Sequence, residues 1–432
     1  TTLLGTTAAD ASGNWTFTPT TALTDGSHSL TATATDAAGN VSTASSAFTL
    51  TVDTAAPATP VISTVTDDVA PVTGTITAGG STNDANPTLT GTAEANSTIS
   101  VFDGTTLLGT TTTDASGNWT FTPSTALADG SHSLTATATD AAGNVSAAST
   151  AFTLTVDTAA PAAPVISTIT DDVAPVTGAI TDGGSTNDAT PTLTGTAEAN
   201  STISIFDGTT LLGTTTADAS GNWTFTPSTA LADGSHNLTA TATDTAGNVS
   251  AASSAFTLTV DTAAPAAPVI STVTDDVAPV TGTITDGGST NDANPTLTGT
   301  AEANSTISVF DGTTLLGTTA ADASGNWTFT PSTALTDGSH SLTATATDTT
   351  GNVSAASSPF TLTVDTAAPA TPVISTVTDD VAPVTGAITD GGSTNDAMPT
   401  LTGTAEANST ISIFDGTTLL GTTTADASGN WT

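Results

Sequence analysis

The sequence predicts an all-β chain of tandem sandwich domains, and three observations predict it. The five tryptophans, Trp15, Trp119, Trp223, Trp327 and Trp431, stand 104 residues apart, each inside the string Ser-Gly-Asn-Trp-Thr. A period that long marks an independently folding domain rather than a solenoid repeat of about 20–50 residues. Apolar residues alternate with Thr and Ser, the period of a half-buried strand, and the helical period is absent. Turn signals built from Asp, Gly and Asn interrupt the alternation at short intervals.

Within residues 158–261 this reading gives seven strands. The run 164–169 begins at Pro164 and alternates Val, Ser and Ile, and 191–197 begins at Pro191 with Leu193 as its apolar position. Ile203 and Ile205 set the inward face of 201–207, and Asp207-Gly208 turns the chain into 209–216. Trp223 and Phe225 define 222–226 after the turn Asp218 to Asn222. Leu238, Ala240 and Ala242 define 236–243, and Phe256, Leu258 and Val260 define 255–260. About 100 residues of short antiparallel strands around one Trp suit an immunoglobulin-like β-sandwich, here without the disulfide and tyrosine corner of antibody domains, because the chain has no Cys and no Tyr. The string Val-Asp-Thr-Ala-Ala-Pro recurs at 52–57, 156–161, 260–265 and 364–369 and suits a short, extended, stiff linker. Boundaries placed there give complete repeats at 54–157, 158–261 and 262–365, the later part of a repeat at 1–53 and the earlier part at 366–432.

Composition excludes several functions. The chain carries 40 Asp plus Glu and no Lys or Arg, a formal charge of −40, so it has nothing to neutralise phosphates with. Nucleic acid and direct contact with an anionic membrane are excluded as partners, and any charged partner is a cation. The start of the sequence lacks the basic and long apolar regions of a signal peptide, so it reads as an internal stretch of a longer chain. His28, His132, His236 and His340 are one position seen four times, with no carboxylate at hydrolase spacing, and read as structural; the chain is not expected to be an enzyme. The row Thr239, Thr241, Thr243 reads as the solvent face of a strand rather than an ice-binding face.

The motifs Asp171-Asp-Val-Ala-Pro-Val-Thr-Gly178, Gly183-Gly-Ser-Thr-Asn-Asp188, Pro191 to Asn200, Asp218 to Trp223 and Thr243 to Asn248 resemble the bacterial Ig-like repeats of giant RTX adhesins and biofilm-associated proteins. The near-identity of the copies makes the chain similar to the extender regions of calcium-dependent, ice-binding RTX adhesins. The resemblance implies a calcium-stiffened stalk at the bacterial cell surface that projects a binding domain outward, while other regions bind and anchor.

Charge placement points independently to calcium. In the predicted strand order Glu198, Asp218 and Asp244 gather at the end of the sandwich where the chain enters, and the preceding linker brings Asp157 there. At the opposite end the first long loop carries Asp171, Asp172, Asp182, Asn187 and Asp188 near Asp261. Carboxylates converging without a basic residue repel one another unless a cation sits among them, and oxygen-only donor sets suit Ca2+ better than the stricter octahedron of magnesium. The corresponding candidates are Asp53, Asp67, Asp68, Asp84, Glu94, Asp114 and Asp140 for the preceding repeat. For the following repeat they are Asp275, Asp276, Asp286, Asp292, Glu302, Asp322, Asp348 and Asp365, and for the last piece Asp379, Asp380, Asp390, Asp396 and Glu406. Position 182 is Ala78 in the preceding repeat, so that carboxylate is dispensable. Asp and Asn are also ordinary turn formers, the reading that applies to Asp207 and Asp233, each followed by Gly.

The expected function is therefore a calcium-rigidified spacer whose partners are its own neighbouring repeats. The alternative, a row of sugar- or receptor-binding modules, lacks an aromatic platform outside the core. The terminal pieces, each only part of a sandwich, carry the further expectation of head-to-tail association between chains, with Trp15 and Trp431 competing for one core position.

Overall fold

The computed structural model describes residues 2–432, so residue 1 of the first piece lies outside the described residues. The chain divides into two compact units, 1–262 and 263–432. The first holds the piece 2–53 and two complete repeats; the second holds one complete repeat and the piece 366–432. All regular structure among the described residues is β.

Repeat 158–261 represents all three complete repeats. Its strands are β1 (Val165–Asp171), β2 (Gly178–Ile180), β3 (Gly184–Thr186), β4 (Thr192–Thr196), β5 (Thr202–Asp207), β6 (Thr210–Thr216), β7 (Asn222–Phe225), β8 (Gly234–Thr243) and β9 (Phe256–Val260). They form a four-stranded sheet in the order β2-β1-β4-β7 and a five-stranded sheet in the order β3-β9-β8-β5-β6. The two inner faces enclose one apolar core. Ile169, Leu193, Trp223 and Phe225 come from the first sheet, and Ile203, Ile205, Leu238, Ala240, Ala242, Leu258 and Val260 from the second. Burying each large side chain contributes about 1.5–3 kcal/mol. The outer faces carry the intervening Thr and Ser, which gives each strand its alternation of buried and exposed positions.

All seven expected strands are present, and two more lie where the sequence suggested only a loop. β2 pairs antiparallel with the end of β1, and β3 pairs parallel with β9, so the sandwich is not wholly antiparallel. These three-residue strands carry one strongly apolar residue between them, Ile180, and tie the acidic loop to both sheets.

The Trp in each repeat has its position set by a glycine. A Cβ on Gly195 in β4 would lie 2.0 Å from the Val165 carbonyl oxygen and 2.3 Å from the Trp223 ring. Only glycine lets the indole lie directly against the β4 backbone, and Gly91 and Gly299 repeat the arrangement with Trp119 and Trp327.

The terminal pieces differ from these repeats. In 2–53 a single pair of strands forms, Gly26–Leu30 with Phe48–Val52, and Trp15 is 56% exposed. In 366–432 a four-stranded and a two-stranded sheet form, and Trp431 is buried with Ile411 and Ala425.

Candidate metal centre at the repeat junction

The trailing end of each repeat carries a buried acidic pair. Asp171 ends β1, and Asp188 follows β3. Thr186 joins them: its Oγ1 donates to Asp171 Oδ2 at 2.6 Å and accepts the Asp188 N–H at 3.0 Å. Asp171 Oδ1 accepts the Val173 N–H at 2.8 Å, Asp188 Oδ1 accepts the Thr190 N–H at 2.8 Å, and Asp188 Oδ2 has only a long contact from the Asp172 N–H at 3.4 Å. The two carboxylates are 5% and 1% exposed. Asp67 with Asp84, Asp275 with Asp292 and Asp379 with Asp396 are equally buried, each joined through a Thr in the same way. Charge this deeply buried without a cationic partner is costly, and hydrogen bonds offset only part of that cost. Asp172, Asp68, Asp276 and Asp380 stand beside these pairs and are exposed.

The end of the last strand reaches the same place. The N–H groups of Asp157, Asp261 and Asp365 donate to the carbonyls of Thr82, Thr186 and Thr290. Asp182 is drawn elsewhere, with its Oδ1 accepting the N–H and hydroxyl of Thr257 at 2.8 Å, and Asp286 does the same with Thr361. Their carboxyls are held below the ordinary carboxylate value by these hydrogen bonds, the backbone one foremost. Asp390 is exposed.

The leading end is made of turns. Asp218 Oδ1 accepts the N–H groups of Ser220 and Asn222 at 2.8 and 2.9 Å, and Asp114 and Asp322 repeat the pattern. These bonds, led by the backbone N–H of the Asn, hold the three carboxyls below the ordinary value. The Glu198 turn rests on the Asp218 turn, because the Ala197 N–H donates to the Gly221 carbonyl, but its side chain is exposed, as are those of Glu94, Glu302 and Glu406. The third turn runs from Asp244 to Asn248. Asp244 Oδ1 accepts the N–H groups of Ala246, Gly247 and Asn248, and its Oδ2 accepts Asn248 Nδ2. In the equivalent turns Asp140 and Asp348 are held low. Asn144 contributes most at Asp140; at Asp348 burial pushes up but is outweighed by bonds from Thr350 and Asn352.

Between 54–157 and 158–261 the trailing end of one repeat meets the leading turn of the next. Asn248 Nδ2 donates to the Asp157 carbonyl at 2.8 Å, the Asn83 N–H donates to the Ala246 carbonyl at 2.9 Å, and Val72 packs against Gly247. The two sites expected at opposite ends of a repeat are thus, at this junction, two sides of one place. Asn83 Oδ1, beside Asp84, is buried there without a hydrogen-bond partner, and Asn187 Oδ1 is in the same condition. Asp53 offers its carbonyl to Asn144 Nδ2 at 3.0 Å. Among the described residues no three of His, Asp and Glu form a metal-holding group, so the carboxylates come together as pairs and any further donors are amide and carbonyl oxygens.

Sequence reasoning missed the linking Thr186 and the tie from Asn248 to Asp157. Both appeared only as members of a polar string. The copy-to-copy recurrence of Gly-Gly-Ser-Thr-Asn-Asp, with its Thr two residues before the buried Asp, was the available signal.

The family model for the bacterial Ig-like domain matches residues 1–54, 59–158, 163–262 and 267–366. No curated protein sequence is similar to the chain. Among solved structures, the tetra-tandem repeat in the extending region of a large adhesion protein is 23% identical, covering 83% of this chain and 90% of that one with a TM-score of 0.26. The BSP domain of a biofilm-associated protein is 15% identical, covering 72% and 67% with a TM-score of 0.18. The fibronectin(III)-like modules of Clostridium thermocellum CbhA are 16% identical, covering 46% and 94% with a TM-score of 0.28. With four matched segments spanning most of its length, the chain belongs to the bacterial Ig-like domain family.

Proposed function

We propose that these repeats are the calcium-rigidified spacer of a large adhesin on the bacterial surface, holding a distal binding domain away from the cell. The observation that carries this reading is the buried pair Asp67 and Asp84, with the unpartnered Asn83 Oδ1 beside it, at a junction in a chain without a single Lys or Arg. A divalent cation supplies the missing positive charge, and a hard one with flexible coordination accepts carboxylate, amide and carbonyl oxygens together. Asp67, Asp84 and the Asn83 Oδ1 beside them are the groups that would hold it at this junction. Asp171, Asp188 and Asn187 are their counterparts in the next repeat. The same residues govern whether neighbouring repeats dock, so each repeat's partner is the next one in the chain. The reading assigns no catalytic step.

Calcium that binds only the docked, folded state adds RT ln(1 + [Ca]/Kd), about 2.7 kcal/mol at a hundredfold excess over Kd. Extracellular calcium modules have Kd of order 10⁻⁴–10⁻³ M, which leaves such a chain soft inside a cell and stiff outside it. The test is small-angle scattering and thermal melting with calcium and with EDTA. Chelation is expected to lower the melting temperature and change the radius of gyration, and D84N/D188N to abolish both responses. A chain indifferent to EDTA overturns the reading.

A further inference from the structure

The histidine of each complete repeat is bonded at both ring nitrogens to oxygen acceptors. In 158–261, His236 Nε2 lies 2.7 Å from the Ala232 carbonyl, and Nδ1 lies 2.8 Å from Asp207 Oδ2. The other oxygen of Asp207 accepts the Asn237 N–H at 2.9 Å. His132 with Ala128 and Asp103, and His340 with Thr336 and Asp311, repeat this at 2.6–2.7 Å. A carbonyl oxygen can only accept, and so can an ionised carboxylate. A neutral imidazole has one N–H and one lone pair, so either tautomer would set a lone pair against an oxygen. The ring that satisfies both contacts is the imidazolium.

We propose that His132, His236 and His340 are held as imidazolium ions, each a latch fastening the end of β5 and the loop before β8 to β8, and that the latch opens, loosening the repeats, when the ring loses its proton. The His side chains are 8–9% exposed. The charged groups on the surrounding elements are all acidic. The end of β5 brings Asp207, and the loop before β8 brings Asp233, whose Oδ1 accepts the Thr262 N–H and hydroxyl. The loop before β3 brings Asp182, committed to Thr257, and β9 presents Leu258 opposite the ring. In the first complete repeat Ala78 replaces that third carboxylate. The paired carboxylate therefore favours the cation, and no basic group on these elements opposes it. Burial, the largest single influence, pushes each ring's pKa down, but the hydrogen bond and charge of the carboxylate and the carbonyl contact together raise it above the ordinary 6.5. With the folded value raised, the latch contributes fully below the unfolded value, and its contribution is lost as pH rises through the folded one. His28 keeps the carbonyl contact, to Thr24 at 2.7 Å, and has no strand corresponding to β5 beside it.

The experiment is a pH titration of the histidine ring carbons by NMR on the full chain, at fixed calcium. The signals of His132, His236 and His340 are expected to titrate above free histidine, and D103N/D207N/D311N to shift all three downward. Three midpoints at or below free histidine, or no downward shift in the variant, overturn the proposal. The melting-temperature gap between the parent and H132Q/H236Q/H340Q gives a second readout. The gap is expected at pH 6 and to close by pH 9, whereas a gap of the same size at both pH values, the result for a packing role alone, overturns it.

Discussion

The turns Asp140–Asn144 and Asp244–Asn248 have the same residues at four of five positions and share three side-chain hydrogen bonds of the Asp, yet one is open and the other buried. Ala142 is exposed and nothing lies within 4 Å of a Cβ on Gly143. Ala246 is 2% exposed, its carbonyl accepts the Asn83 N–H, and Gly247 faces Val72. The residue that differs, Thr245, is itself exposed and does not account for this. What differs is the preceding segment: 54–157 presents an acidic trailing loop, and the piece 2–53 has no corresponding strands. The contact both turns keep is the Asn amide on the linker carbonyl, to Asp53 or Asp157. A junction therefore has two parts, a tether set by the linker and a docking contact set by the loop that carries the acidic pair. Metal at that loop would act on docking and leave the tether intact.

The comparison rests on the two repeats being alike inside, and the largest expected effect tests that. G91A and G195A each place a Cβ against a β-strand carbonyl and the Trp ring, at 2.0–2.4 Å. Each is expected to destabilise its own repeat by about 3 kcal/mol or more, by the same amount in both, as read from denaturant unfolding. Unequal losses would trace the difference between the turns to the repeat interiors.

A smaller effect separates docking from tether. Gly143 and Gly247 both have positive φ, 96° and 103°, so alanine costs about 1 kcal/mol at either. At Gly247 the new Cβ also comes within 3.2 Å of Val72 and near the Asn83 amide. G247A is expected to broaden the scattering-derived distance distribution in calcium, and G143A to leave it unchanged. Equal behaviour would mean that the trailing loop contributes nothing to the junction.

How much of this was legible in the sequence follows from how far apart the interacting residues lie. The alternation of Ile203, Ile205, Leu238, Ala240 and Ala242 is local and marks both the strands and their inner faces. The fold class and the 104-residue repeat follow from such patterns. β2 and β3 escaped because three-residue strands in a Gly- and Asp-rich loop have no period of their own; their partners, β1 and β9, define them. In the candidate site, Asp171 and Asp188 were legible as acidic loop residues, but their burial and their link through Thr186 are tertiary. The Asp207–His236 pair spans 29 residues and Asn248–Asp157 spans 91, so neither has a sequence signature. The turn Asp218 to Asn222 was legible because its hydrogen bonds are local, with Asp218 Oδ1 accepting the N–H groups of Ser220 and Asn222.

The tether itself can be weakened from either side. N248A removes a donor to the Asp157 carbonyl and to Asp244 Oδ2 in a place where water cannot readily replace it, and is expected to cost about 1.5 kcal/mol. N144A removes the equivalent bonds where solvent has access, and the expected cost is about 0.5 kcal/mol. Thermal melting of the two variants ranks them, and the reverse order would show that the buried position gains nothing from its surroundings.

The smallest expected effect is acid loosening of the exposed turn. The Asp140 carboxyl is held below the ordinary carboxylate value first by the Asn144 side chain and then by the backbone N–H groups of Asn144, Ala142 and Gly143, with burial opposing them. Because the folded value is depressed, the turn's stabilisation is present above the unfolded value and is lost as pH falls through the folded one. Asn144 Nδ2 bonds both Asp140 Oδ2 and the Asp53 carbonyl, so protonation frees the amide that forms the tether. The backbone amide shifts of Ala142 and Asn144 should therefore move together with the Asp140 carboxyl carbon on the acid side of pH 3.8, while those of Ala136 and Ala138, buried in the preceding strand, stay fixed. The observation that would sink this is a carboxyl that titrates without the Asn144 amide responding, because the tether would then owe nothing to the charge of the turn that holds it.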